Sequence, residues 1–213
     1  ILLAQKIVSK SENRFKNLLE INPSKKAIEL GESLGRDPSF MQLILDESNE
    51  IISTEKNVII VEHKLGYINI NAGIDKSNIS KNKDLVLLLP ENPKKSANDI
   101  QTQISSQLNK DISVIITDSM TRPYRSGVTN FAIASSNIQS LIDLKGEEDI
   151  FGNTLHATEI AIADELSAAA GLLMGQGNDM KPVVIIKGFD RSNYSVNNAY
   201  DLIVNKDEDL YRF

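Results

Sequence analysis

The run "ISVIITDS", residues 112–119, limits the fold more than any other segment. Its apolar residues are consecutive rather than alternating, the pattern of a buried strand, and it stops on a carboxylate, Asp118. A similar stop follows "VIIVEHKLGYINI". There two β-type runs split at Gly66 give way to "NAGIDKSNIS", residues 71–80, with Asp75 set among small and polar residues. Strands are also expected over 1–9, in "LVLLLPENP", in "VTNFAIASS" and in "PVVIIKGF". Between them lie helical patterns. "PSKKAIELGESLG" starts at Ser24 and stops at a Gly, and "DPSFMQLILDESNEII" has Pro38 in its first turn and Phe40, Leu43, Ile44 and Glu47 at helical spacing. "SANDIQTQISSQL" offers Ser96 as N-cap, with Ile100, Ile104 and Leu108 four apart. Residues 154–174 form the strongest helix, Ala-rich on one face and ended by Gly175. "GEEDIFGN" reads as a polar turn, and the tail from Asp190 as a variable arm. Strands and helices mix without a strict βαβ alternation, so the expected class is a mixed α+β fold, with 1–213 forming one domain.

The composition narrows the chemistry. A chain of 213 residues that is 41% hydrophobic, with no stretch of membrane-spanning length, is expected to be globular. Without Cys there is no disulfide, no thiolate metal site and no Cys nucleophile, and a cytoplasmic location fits. A net charge of −6 argues against non-specific nucleic-acid binding. Anionic ligands then need a local cluster of Lys and Arg or a divalent cation. The chain opens "ILLAQKIVSK", already inside an apolar run, so residues upstream of Ile1 are expected. No P-loop, GxGxxG or GxSxG motif is present, and His63 and His156 match no metal-ligand spacing.

Each remaining candidate has two readings. Asp118 at a strand end suits Mg²⁺ or Mn²⁺, which take oxygen ligands, or caps a turn. Ser119 adds a hydroxyl ligand or caps the next turn. "RPYR" puts Arg122 and Arg125 just past the Asp, as anchors for phosphate or substrate carboxylate or as solvated surface charges. Asp75 is a second strand-end carboxylate that, if its strand neighbours that of Asp118, binds one or two metal ions with it; its alternative is an Asx-turn helped by Gly73. The amide of Asn78 suits a base or sugar. In "MGQGND", residues 174–179, two Gly around Gln176 let backbone amides approach a phosphate, or simply form a C-cap loop. "AQKIVSKSENR" places Lys6, Lys10 and Arg14 where three cations complement a polyphosphate, or are ordinary surface charge.

Taken in order, "AQKIVSKSENR", "NAGIDKSNI", "LLPENPKKSA", "VIITDSMTRPYRSGVTNFAIA", "GEEDIFGNTLHATEIAIADELSAAAGLLMGQG" and "PVVIIKG" resemble the coenzyme F420-0:γ-glutamyl ligases, from residue 1 to about 189. The resemblance implies a two-lobed fold, a homodimer, and GTP with Mn²⁺ or Mg²⁺ and an activating K⁺. It further implies that L-glutamate is joined by an amide bond to the terminal carboxylate of a deazaflavin coenzyme precursor, through an acyl phosphate. By resemblance Asp75, Asp118, Ser119 and Gln176 bind metal. Gln5, Lys6, Lys10, Asn78 and the loop Met174, Gly175, Gln176, Gly177, Asn178, Asp179, Met180 and Lys181 bind nucleotide. Arg122 and Arg125 are added on physical grounds as the catalytic anchors.

Two departures stand out: Thr121 where the family usually has Gly before the first Arg, and a different continuation after Gly188. The second, flavin-binding domain of some bacterial relatives is not expected here. The same chemistry on another carboxylate-bearing cofactor, and a non-catalytic nucleotide- and metal-binding protein, are the alternatives.

Overall fold

The structure, a computed structural model, describes residues 1–190 and 195–211. Parts of the expected C-terminal arm, 191–194 and 212–213, lie outside the described residues. In chain order the elements are β1 (Leu2–Ala4), α1 (Gln5–Ser11), β2 (Phe15–Asn17), α2 (Lys25–Leu34), α3 (Pro38–Asp46) and β3 (Ser48–Ser53). They continue with β4 (Ile60–His63), β5 (Ile68–Ile70), β6 (Leu85–Leu87), α4 (Pro93–Leu108), β7 (Val114–Arg122) and β8 (Arg125–Ser136). Last come β9 (Ile142–Asp143), β10 (Glu159–Ile160), α5 (Ile162–Met174) and β11 (Val183–Val184), with short 3₁₀ turns between elements. The fold is mixed α+β, as the interleaving of patterns implies. Among the described residues no helix is long and apolar enough to cross a membrane.

The chain divides into two compact units, one of Ile1–Val8 with Asn92–Phe213 and one of Ser9–Glu91. The first is built on a four-stranded sheet ordered β11-β1-β7-β8. β1 is parallel to β7 and antiparallel to β11, while β7 and β8 are antiparallel. One core of this unit joins Leu2, Ile115 and Ala132 of the sheet to Ala163, Ala170 and Met174 of α5. Small residues on that helix face let it lie close: a Cβ at Gly171 would come within 2.7 Å of the Asn130 side chain. The C-terminal segment is anchored here. Asn198 donates from Nδ2 to the Ser135 carbonyl (2.8 Å), the Ala199 amide donates to Ser135 Oγ (3.0 Å), and Ser135 and Ser140 hydroxyls share a hydrogen bond of 2.6 Å.

The second unit pairs β2 with β6 and stacks β3-β4-β5 as an antiparallel sheet. Its core packs Ala27 and Leu34 of α2 and Phe40, Met41, Leu43 and Ile44 of α3 against Val61 and Val86. Both helices begin where side-chain caps predict: Ser24 accepts from the Ala27 amide and Asp37 from the Phe40 amide, with Pro38 opening α3. Beyond the end of α3, Glu47 gathers two cations and an imidazole. Arg14 Nη2 lies 3.4 Å from Glu47 Oε2, His63 Nε2 3.7 Å from the same oxygen, and Lys64 Nζ 3.9 Å from Oε1. Because His63 Nδ1 accepts the Leu65 amide (3.0 Å), Nε2 is the nitrogen left to face the carboxylate.

Several sequence expectations are corrected. The opening strand ends at Ala4, where its pairing with β7 stops, and α1 takes over. An apolar run this short fits either period. The helical pattern through Ile52 breaks at Asp46, and β3 forms instead because Ile51 finds Val61 on β4. α4 starts earlier than Ser96: Asn92 caps the Lys95 amide, Pro93 opens the helix, and the Ser96 hydroxyl donates back to the Asn92 carbonyl (3.0 Å). α5 starts only at Ile162. The segment before it is claimed by backbone pairing with residues 142–149, as in Leu144 N–H to Thr158 O (2.9 Å) and Leu155 N–H to Glu147 O (2.8 Å). β7 runs on past Asp118 to Arg122, so Asp118 is not at a strand end.

His63, first, and then Arg14 and Lys64 hold the Glu47 carboxyl below the ordinary carboxylate range, against the opposing effect of burial. A depressed folded-state pKa contributes stability above the unfolded value and loses it as pH falls through the folded one. The stability gap between the native chain and Glu47→Gln is therefore expected to be present above the ordinary glutamate range and to close as pH falls through and below it, as read by urea denaturation across pH. Gly73 sits at φ +66°, and an added Cβ would be 3.1 Å from Leu89 Cδ1. Gly73→Ala is expected to cost about 1–2 kcal/mol in the same assay.

Candidate functional site

In the Ser9–Glu91 unit, Asp75 is placed by an unusual turn. Asn71, Ala72 and Gly73 all have positive φ (54°, 54° and 66°), and Ala72 is fully buried there. Non-glycine residues are seldom held in this region unless their surroundings fix them. The turn is closed by Asn71 N–H to Ile59 O (3.0 Å) and Ile74 N–H to Asn71 O (3.0 Å). Asp75 is then locked by a two-way bridge to β6, its amide donating to Leu87 O (2.9 Å) and its carbonyl accepting from Leu87 N–H (3.0 Å). The backbone at Asp75 is thus fixed on both its amide and its carbonyl. Lys76, next in the chain, stacks its ammonium 3.7 Å from the Phe40 ring centroid. Burial is the main cause that lowers its pKa, with Arg36 adding to it and Asp37 opposing. Lys10 Nζ donates to the Asn78 carbonyl (2.9 Å), and Asn78 itself has φ 57°. Two expected nucleotide contacts distant in sequence are therefore neighbours. Arg14, by contrast, is committed: its Nε donates to Leu89 O (2.9 Å) and its Nη2 faces Glu47.

In the other unit the β7–β8 ladder organises the candidates. Its register pairs Thr117 with Ala132, Asp118 with Phe131, Ser119 with Asn130 and Arg122 with Arg125. Side chains alternate along a strand, and directly opposed residues share a face. Ser119 and Asn130 therefore share one face and Asp118 takes the other. Asn130 marks the first as the face that α5 covers: it packs against Gly171 and accepts from Gln176 Nε2 through Oδ1 (2.8 Å). Ser119 and Gln176 are thus gathered around Asn130, and Asp118 stands across the strand from them. The adjacent pair Asp118-Ser119 does not offer both side chains to one point.

The loop after α5 is fixed by Gly175, at φ 72°, where a Cβ would collide with the Asp179 carboxylate. Gly177 N–H donates to Asp179 Oδ2 (3.4 Å). Gly177, Asn178, Asp179, Met180 and Lys181 are exposed, whereas Met174 is a core residue. Gln5 is likewise buried, at the first turn of α1, and Lys6 is half-buried. The expected "RPYR" loop is a tight hairpin with only Pro123 and Tyr124 between the strands. Arg122 and Arg125 stand directly opposite each other, and like charges so placed repel.

Two residues escaped the sequence reading. Asn130, 8% exposed, bridges β8 to Gln176; its signal was a polar amide inside an apolar strand run. Asp164, in the first turn of α5, accepts the Ala132 amide (2.8 Å) where the β7–β8 register shifts. Burial raises its pKa, and the Ala132 hydrogen bond opposes the shift. A carboxylate in the first turn of an Ala-rich helix was its signal.

The donors Asp75, Asp118, Ser119 and Gln176 are all oxygen ligands, and among the described residues no three His, Asp or Glu groups cluster as a metal cage. A hard cation such as Mg²⁺, which keeps several waters and takes one or two carboxylates plus substrate phosphate, fits donors as sparse as Asp118, Ser119 and Gln176 in one unit, or Asp75 in the other.

The model of the F420-0:Gamma-glutamyl ligase family matches residues 1–188. A coenzyme F420:L-glutamate ligase of Methanocaldococcus jannaschii is 44% identical over 214 residues, covering 100% of this chain and 84% of that protein. The protein of the same name from Methanococcus maripaludis strain C7 is 44% identical over 212 residues, again covering 100% and 84%. That of Methanothermobacter thermautotrophicus is 40% identical over 189 residues, 89% of this chain and 74% of its own. The chain belongs to the F420-0:gamma-glutamyl ligase family.

Proposed function

We propose that this protein joins L-glutamate by an amide bond to the terminal carboxylate of F420-0, with GTP as phosphoryl donor. The observation that carries the reading is the 44% identity, over the whole chain, to relatives named coenzyme F420:L-glutamate ligase. The chemistry is consistent with the side chains available. The acceptor carboxylate attacks the γ-phosphorus of GTP, the bond to the β-phosphate oxygen breaks, and GDP leaves. The glutamate amine then attacks the acyl phosphate, inorganic phosphate leaves, and the amine proton passes to solvent.

The protein's part is to place two anions together and offset their repulsion. Lys10 and Asn78, joined by a hydrogen bond, together with Gln5 and Lys6, take the nucleotide in this reading, along with the loop 174–181. Because Met174 and Gln5 are buried, their share is made by backbone or by holding neighbours in place. Arg122 and Arg125, facing each other at the hairpin, are relieved of mutual repulsion by an anion between them. Asp75, Asp118, Ser119 and Gln176 would hold Mn²⁺ or Mg²⁺, which when bound neutralises charge on the transferring phosphoryl group. With Ser119 and Gln176 on one face of β7 and Asp118 on the other, the donors fall into separate positions, which suits more than one ion. K⁺ activation, a homodimer and a cytoplasmic location complete the proposal.

With GTP, Mn²⁺, L-glutamate and F420-0, mass spectrometry is expected to show acceptor heavier by glutamyl units, with GDP formed in step. ATP used in preference to GTP, or no glutamylated product, would refute the reading. Asp118→Ala is expected to lower turnover by about 100-fold or more while leaving the thermal midpoint near that of the native chain. Undiminished activity in that variant would remove Asp118 from the machinery.

A further inference from the structure

The hairpin between β7 and β8 breaks a local rule at its tip. Pro123 occupies the second position of the turn and Tyr124 the third, with φ 59°. A positive φ there is the mark of a type II turn, whose third position is normally Gly or Asn. A bulky aromatic residue in this region is a genuine outlier. Burial offsets little of the strain, since Tyr124 is 86% exposed. A ring held out in solvent at a cost in backbone strain needs a reason outside the folded core.

Its surroundings supply one. The residues on either side, Arg122 and Arg125, are cross-strand partners, so two guanidinium groups leave the ladder at the base of the turn that carries the ring. Among the described residues, neither has an ion-pair partner. From the C-terminal segment, Tyr211 brings a second aromatic ring, 60% exposed, with its centroid 6.1 Å from that of Tyr124 and tilted by 47°. The tilt leaves the two rings as an open corner rather than a closed stack. Both rings keep a face open to solvent, and an exposed aromatic face suits stacking with a further planar ring. The turn of the Tyr211 segment is held by its own amide, which donates to Asp209 Oδ1 (2.9 Å).

We propose that Tyr124 and Tyr211 form the stacking platform for the heteroaromatic ring of the acceptor, with Arg122 and Arg125 holding its anionic side chain. The proposal rests on the ligase reading above and deepens it: the hairpin selects the acceptor and leaves the nucleotide to other residues. A planar ring carrying an anion matches both halves of the site. A lone carboxylate or phosphate would use the arginines and leave the rings idle.

Tyr124→Gly removes the ring and suits the turn's backbone, so the variant is expected to fold with an equal or higher thermal midpoint. In the glutamylation assay, Tyr124→Gly and Arg125→Ala are each expected to raise KM for F420-0 about tenfold, with KM for GTP unchanged. An unaltered KM for F420-0, or a parallel rise in KM for GTP, would overturn the assignment. Riboflavin 5′-phosphate, a planar tricycle with an anion on its side chain, tests the site without catalysis. Its fluorescence is expected to be quenched by the native chain, less by Tyr124→Gly, and riboflavin without the phosphate is expected to bind more weakly. Should the native chain fail to glutamylate F420-0, the ligase reading falls, yet the flavin titration still decides the platform: quenching that depends on Tyr124 supports it, and quenching that is absent or indifferent to Tyr124 refutes it.

Discussion

The antiparallel ladder between β7 and β8 is the interaction on which the Asn92–Phe213 part of the protein depends. It fixes which residues face α5, it shifts register where Asp164 takes the Ala132 amide, and it ends in the arginine hairpin. Because opposed residues share a face, one register decides three things at once: that Ser119 stands with Asn130, that Asp118 stands across from them, and that Arg122 meets Arg125. A slip by one residue would exchange the faces of every candidate ligand. The half-buried Asp164 contact at the shift ties the strand to the helix that ends at Gly175, so the ladder also places the glycine loop.

The Ser9–Glu91 unit reaches comparable rigidity by different means. It has no long ladder near Asp75. Instead three successive left-handed residues turn the chain, and a two-way bridge to Leu87 clamps the Asp backbone. Such a turn is uphill for Asn71 and Ala72 taken alone. It persists because Ala72 is buried in the core, and Gly73 has no space for a side chain beside Leu89 and Asn69. Asp75 is thus offered from a backbone that cannot relax, which suits a ligand whose position matters more than its reach.

Legibility followed the range of the interactions. Helices α2 and α3 could be read closely because their starts are decided within four residues, by Ser24, Asp37 and Pro38. The register of α4 was misread because two capping candidates compete, and Asn92 with Pro93 outweighs Ser96. For α5 the pattern from residue 154 was helical enough, but backbone partners at 142–149 were available and took the segment into a ladder. The opening run departs from its strand pattern at Ala4, where pairing with β7 stops and the chain turns into α1 although β7 itself runs on.

By itself the sequence determined the α+β class, the family, and the residue types available for anion and cation chemistry, because these reside in local pattern and in motif order. Only the tertiary structure decided that Lys10 meets Asn78, that Ser119 and Gln176 gather at Asn130 while Asp118 turns away, and that Tyr124 stands strained between two arginines. Those outcomes depend on strand register and on contacts between residues far apart in the chain, and neither is encoded in the spacing of any single segment.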